Sequence, residues 1–145
     1  MLVSDVMHGG GVQTIDRGAA AAHAAGELRA RRISSLAVTD GGHLVGILTE
    51  RDIVGLVADA RDAGTTNVGE LMTGEPVTVA PTTDVRDAAR IMAEHGIRHL
   101  PVVDGEDLVG MLSVRDLFAW TMAQMGDTPE LWPDLMAAIA VEWPH

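Results

Sequence analysis

The chain contains one unit of sequence twice. Shifting it by 64 residues sets Gly46 over Gly110 and lays residues 24–53 over residues 88–117, with 13 of the 30 aligned positions identical. The matched pairs include Ile33 with Ile97, Leu36 with Leu100, Val38 with Val102, Asp40 with Asp104, Leu44 with Leu108, Arg51 with Arg115 and Asp52 with Asp116. Upstream the match continues from Met7 to Met72, the first copy carrying one extra residue in its Gly9-Gly10-Gly11 loop. Such a duplication limits the fold more than any single motif, because one supersecondary unit must suit both copies. The 145 residues divide into a first repeat at 1–63, a second at 64–126 and a remainder at 127–145.

Each repeat reads as β-α-β-β-α. Short extended pieces at 13–15 and 77–79 precede a helix in each copy. In the second copy Thr83 or Asp84 can cap that helix, Val85, Ala88, Ala89, Met92 and Ala93 recur at helical spacing, and Gly96 supplies the stop. The runs SLAVTDGGHLVGIL and HLPVVDGEDLVGML then place Asp-Gly between apolar stretches, a strong hairpin signal. A second helix starts after Thr49 or Ser113, and 62–67 reads as the linker. One copy alone has little to cover its sheet, so the expectation is a single α+β domain of two repeats packed about a pseudo-two-fold axis. The remainder at 127–145 holds four acidic residues and no basic ones. It fits a C-terminal helix whose Leu131, Leu135, Met136 and Ile139 form an apolar stripe, packed on the body or on a twin subunit. A helix that docks in a partner's groove is the alternative.

Composition removes several classes of function. With no cysteine there is neither a disulfide nor a thiolate metal site, so a core must come from the 47% of residues that are hydrophobic. Ten arginines and no lysine against 21 acidic residues leave a net charge of −11. That balance repels a polyanion and argues against nucleic-acid polymers and anionic membranes as partners. An anionic ligand would need a local arginine cluster. The N-terminus lacks a basic segment followed by an apolar one, and no uncharged run reaches the roughly 18 to 20 residues of a membrane span. The expected location is the cytoplasm.

The chemistry concentrates at two junctions, GILTERD from Gly46 to Asp52 and GMLSVRD from Gly110 to Asp116. In each, an apolar strand runs into a hydroxyl residue and an aspartate follows three positions later. Thr49 with Asp52 and Ser113 with Asp116 have the spacing of a capping box, and capping alone explains them structurally. The same arrangement also suits a ligand. A helix N-terminus offers free N–H groups to a phosphate, and a carboxylate beside it can accept from the paired hydroxyls of a ribose. Arg51 and Arg115 lie within the junctions, and Arg98 and His99 open a strand, so arginines able to grip phosphate stand near by. Surface ion pairs with the many carboxylates are the plainer use of those arginines.

At these residues the chain resembles the CBS domain, and as a whole it looks like a stand-alone pair of such domains, a Bateman module. The resemblance covers about residues 2 to 125 and rests on motifs that recur in order: VSDVM and VGELM, QTI and VTV, IRHLPVVD, then GILTERD and GMLSVRD. It implies a regulatory sensor with two clefts for adenosine derivatives such as AMP, ADP, ATP or S-adenosylmethionine. Carried over by position, one cleft would combine Thr49 and Asp52 with Arg98, His99 and Arg115, Asp52 holding the ribose and the basic residues facing phosphate. The other would combine Ser113 and Asp116 with Ser34 and Ser35, reached by Arg51, and would take a less charged adenosine derivative or stay empty. Backbone near Thr14 and Ile15, or near Thr78 and Val79, would approach the adenine. The resemblance also implies a homodimer and a protein target in trans. Ile53, Val54, Leu56, Val57, Leu117, Phe118 and Met122 could supply the dimer interface, or equally the monomer core. The first copy departs from the pattern, with Ala37 in place of Pro101 and no counterpart of Pro76, which predicts a looser first half.

Catalysis finds no support. The six histidines, His8, His23, His43, His95, His99 and His145, lack the His-Glu-x-x-His spacing of a helical zinc site. Gly96 separates His95 from His99, no serine or threonine is marked as an activated nucleophile, and the triple glycine is not followed by Gly-Lys-Ser/Thr. Two functions remain: a sensor that binds an adenosine nucleotide and signals to a partner, and a non-catalytic scaffold that binds none.

Overall fold

The computed structural model describes residues 1–7 and 12–124, together with Pro133 and Ala137. The triple-glycine loop and, apart from those two positions, the helix expected at 127–145 lie outside the described residues. The chain forms two compact units, Val12–Pro76 and Met1–Gly11 with Val77–His145. Each joins the body of one sequence repeat to the leading segment of the other.

In the first unit, β1 (Thr14–Asp16) pairs in parallel with β2 (Ser35–Asp40), and β2 forms an antiparallel hairpin with β3 (His43–Thr49). Gly41 and Gly42 both take positive φ, 58° and 83°, as the tight turn between the hairpin strands requires. Helix α2 (Ala21–Arg31) runs between β1 and β2, and α3 (Glu50–Ala58) leaves the end of β3. VGELM forms the short α4 (Val68–Leu71), after which β4 (Thr73–Gly74) completes the sheet order β1-β2-β3-β4. The core gathers Ile15, Ala24, Leu28, Leu36, Val38, Leu48 and Val68.

The expected linker at 62–67 is a fastened segment. Ala20, the residue before α2, has no side chain able to cap it, so the first N–H groups of the helix need outside acceptors. Ala21 donates to the carbonyl of Thr66 at 2.8 Å and Ala22 to that of Ala63 at 2.9 Å. Asp62 holds the turn through the N–H groups of Gly64 and Thr65.

The second unit repeats the plan. VSDVM forms α1 (Val3–Val6), followed after the other unit by α5 (Val85–His95), β5 (His99–Asp104), β6 (Asp107–Ser113) and α6 (Val114–Ala123). Asp84 caps α5 by accepting from the N–H of Arg86, and Gly96 ends it at φ 63°. Val85, Ala88, Ala89 and Met92 are buried as their spacing predicts. They pack with Val3, Val79, Leu100, Val102, Leu112 and Leu117.

One expected strand is reduced to a single bridge. At 77–79 only Val79 pairs, in parallel with Val102. In the first unit the N–H of Ala37 donates to the carbonyl of Gln13. Pro101 occupies the equivalent position and has no N–H to donate, so the ladder cannot extend. At this strand Ala37 lets β1 run for three residues in the first unit.

Candidate functional site

Each junction is built at the end of a hairpin. In the first unit Ser35 lies directly across the ladder from Thr49, and the N–H of Glu50 donates to the carbonyl of Ser34 at 3.0 Å. Asp52, in the first turn of α3, accepts from the N–H of Thr49 at 2.8 Å and from its hydroxyl at 3.3 Å. Burial raises the Asp52 carboxyl above the ordinary aspartate value, and the two bonds from Thr49 pull against that. Ser34, Ser35, Thr49, Arg51 and Asp52 thus belong to one end of this unit, where β2 begins and β3 ends.

The second unit reproduces the frame with other side chains. His99 lies across from Ser113, and the N–H of Val114 donates to the carbonyl of Arg98 at 2.9 Å. Here the capping box is reciprocal. Ser113 N–H donates to Asp116 at 2.9 Å, and Asp116 N–H donates to the Ser113 hydroxyl at 3.1 Å. Burial holds the His99 imidazole below the ordinary histidine value, Asp116 opposes this, and Arg98 and Arg115 reinforce it. Arg98, His99, Ser113, Arg115 and Asp116 therefore form one electrostatic group.

The two ends differ in charge for a reason visible in the sequence. Where the second repeat has Arg98 and His99, the first has Ser34 and Ser35. Both also retain one junction arginine, Arg51 or Arg115.

Ile15 and Val79 have a different place from the polar residues. Each is 6% exposed and lies in the core of its unit. The N–H of Val79 donates to the carbonyl of Pro101, and its own carbonyl accepts from Val103, so its main chain is occupied by the ladder. Their neighbours Thr14 and Thr78 are exposed. Among the described residues no group of three or more histidine, cysteine, aspartate or glutamate side chains is placed to hold a metal ion. Nor, among them, is any helix long and apolar enough to cross a membrane.

The sequence profile of the CBS domain matches this chain twice, at residues 3–59 and 68–122. The chain belongs to the CBS-domain family. A curated relative, the CBS domain-containing protein YhcV of Bacillus subtilis (strain 168), is 37% identical over 107 residues, which is 73% of this chain and 76% of that protein. Two solved structures are similar in fold. The CBS-domain pair of protein MJ0100, in complex with 5′-methylthioadenosine and S-adenosyl-L-methionine, superposes with a TM-score of 0.79 at 27% identity, covering 86% of this chain and 98% of that one. CBSX2 in complex with AMP gives a TM-score of 0.75 at 28% identity, covering 85% and 97%. Of some longer curated relatives the match spans 30% and 37%.

The CBS repeats explain the placement of the junctions. Each Thr/Ser-x-x-Asp motif stands where an apolar strand meets a helix, beside the first residues of its hairpin partner. Sequence reasoning passed over the conformation of Arg32, which ends α2 with φ 53°. Its signal was available in the alignment, where it falls on Gly96.

Proposed function

We propose that this CBS pair is a regulatory module that binds an adenosine nucleotide and passes the binding on to a protein partner. The observation that carries the reading is Asp52, a carboxylate drawn out of water far enough for burial to raise its pKa and tied to Thr49; the hydrogen-bonded pairing itself recurs between Asp116 and Ser113. A capping role alone does not require a carboxylate to be desolvated, and ribose hydroxyls are suitable donors to one. Relatives of similar fold with AMP or with S-adenosyl-L-methionine bound support the same ligand class.

In this proposal the ribose is held by Asp52 and Asp116, phosphate is met by helix N-termini with Arg98, His99 and Arg115, and the adenine lies by Thr14 and Thr78. The sharing implied by resemblance, Thr49 and Asp52 with Arg98, His99 and Arg115, and Ser113 and Asp116 with Ser34 and Ser35, belongs to it. So do a cytoplasmic setting and the absence of catalysis. Signalling requires that the ligand favour one conformation over another.

Isothermal titration with AMP, ADP, ATP and S-adenosylmethionine tests the reading, in the native protein and in Asp52→Ala and Asp116→Ala. Binding by the native protein that one of these substitutions removes, without unfolding, is the expected result. A cooperatively folded protein that binds none of the four ligands is instead the scaffold. The second reading draws on exposed apolar side chains: Val54 and Val57 on α3 are 65% and 70% exposed, and Phe118 and Met122 on α6 are 41% and 44% exposed. A second copy of the chain would cover them, and sedimentation velocity of Val54→Glu and Phe118→Glu variants would show dimers turning to monomers.

A further inference from the structure

Each repeat keeps a buried glycine inside a strand, Gly46 in β3 and Gly110 in β6. Glycine weakens a strand, so its recurrence marks a place where another part of the molecule must come close. Here that part is sulfur. The atom nearest to a Cβ built on Gly46 is Met72 Sδ at 2.6 Å, and the atom nearest to one built on Gly110 is Met7 Sδ.

One local geometry seats both methionines. Met7 ends α1 with φ −61° and ψ 149°, and Met72 ends α4 with φ −61° and ψ 154°. Their N–H groups donate to the carbonyls of Val3 and Val68, each at 2.9 Å. This turn from helix to extended chain lays each thioether on its glycine, against the core that Val3 or Val68 helps to fill. Met7 and Met72 therefore fasten the short helix that each repeat lends to the body of the other.

The seats are apolar but not closed. Met7 and Met72 are half-buried, between the exposed Met1 and Met122 and the fully buried Met92. With no cysteine in the chain, thioethers are its sulfur targets for an oxidant. A thioether packs as an apolar group, whereas its sulfoxide is polar. At Gly46 the seat is also bounded by the Thr73 carbonyl oxygen, 2.7 Å from the Cβ position, an acceptor that repels a second oxygen.

We propose that Met7 and Met72 are modification sites, a matched pair whose oxidation to the sulfoxide unseats α1 and α4 and loosens the module under peroxide. The sulfur lone pair attacks one oxygen of a hydroperoxide, so an S–O bond forms and the O–O bond breaks. Sulfur is oxidised, the peroxide is reduced, and the departing oxygen takes the proton and leaves as water or an alcohol. Sulfoxide reductases reverse the change, which separates a switch from damage. Neither methionine belongs to the proposed nucleotide site, so the latch holds whether or not a nucleotide binds.

The test treats the full chain with hydrogen peroxide and locates sulfoxides by peptide mass spectrometry. The melting temperature is read before treatment, after it, and after repair by methionine sulfoxide reductases of both stereospecificities. Met7 and Met72 should carry sulfoxide while Met92 does not, the melting temperature should fall by about 5 °C, and repair should restore it. Leucine has a similar volume and no oxidisable sulfur. A Met7→Leu, Met72→Leu protein should thus keep its melting temperature through the same treatment, although Met1 and Met122 are oxidised. In the converse variant, Met1→Leu with Met122→Leu, the whole fall should remain, which tests the latch even if the first variant does not fold. Sulfoxide at Met7 and Met72 without a change in melting temperature overturns the proposal, as does a fall that repair does not reverse. An equal fall in the Met7→Leu, Met72→Leu protein, or none in the converse variant, overturns it too. So does the absence of sulfoxide at both residues when Met1 and Met122 are oxidised.

Discussion

The N–H of Val3 donates to the carbonyl of Thr83 at 2.8 Å, across eighty residues of chain. Val3 is fully buried in the core built by α5, β5 and β6. The first repeat's VSDVM therefore completes the second repeat's body. The exchange is mutual, since the N–H of Val68 donates to the carbonyl of Ala19 at 2.8 Å and Val68 is buried in the core of the first.

Truncating these valines should produce crossed effects. Val3→Ala removes two buried methyl groups and should cost about 2 kcal/mol. Its mark in hydrogen exchange should be lost protection in α5 and β5. Val68→Ala should instead expose amides of β2 and β3. Loss confined to the repeat that carries each mutation in sequence would contradict the exchange.

Gly46 and Gly110 are equivalent in sequence but should not be equivalent to mutate. A Cβ on Gly46 would stand 2.7 Å from the carbonyl oxygen of Thr73 and 2.6 Å from Met72 Sδ. On Gly110 the three atoms nearest to it all belong to the flexible Met7 side chain. Backbone cannot yield as a thioether can, so Gly46→Ala should cost about 2 kcal/mol and Gly110→Ala less than about 1 kcal/mol. Urea denaturation of the two variants would read the difference.

Acid should weaken the fold through His99. Its pKa is lowered in the folded protein, so the unfolded chain binds the proton more readily. The contribution is then complete above the unfolded value near 6.5 and is lost as pH falls from there through the folded value. Replacement by glutamine, His99→Gln, should flatten stability measured by chemical denaturation across that range. An unaltered slope would mean that another group titrates there.

Asp52 has the opposite sign. Its raised pKa means that the folded state holds the proton more tightly, so its contribution is present below the unfolded value near 3.8 and is lost as pH rises through the folded value. At neutral pH the charge is a burden on the fold, and Asp52→Asn, which can still accept from Thr49, should leave the melting temperature unchanged or higher. The proposed nucleotide affinity should fall in the same variant. Destabilisation at pH 7 with binding retained would make Asp52 a capping residue only.

Much of this protein was legible without coordinates because its signals are local. The capping pairs Thr49 with Asp52 and Ser113 with Asp116 span three residues, the hairpin turns are written as Asp40-Gly41 and Asp104-Gly105, and the buried face of α5 follows its spacing. The 64-residue duplication then required one unit twice. Other facts depended on partners far away in sequence. Proline at 101 was plain to see, but its effect on the strand at 77–79 followed only from which main-chain groups it faces. The segment 62–67 looked like a linker because its polar composition does not reveal that α2, starting at a residue that cannot cap it, takes two of its carbonyls.

By itself, the sequence determined the repeat, the order of elements within it and the residues at each strand-to-helix junction, since these rest on periods and spacings of a few residues. Tertiary structure alone decided which core α1 and α4 complete, how far Asp52 and His99 are withdrawn from water, and that Arg32 stands in a conformation its duplicate gives to glycine. Those properties arise from what surrounds a residue after distant segments have met, and burial and backbone strain have no short-range signature in the order of residues.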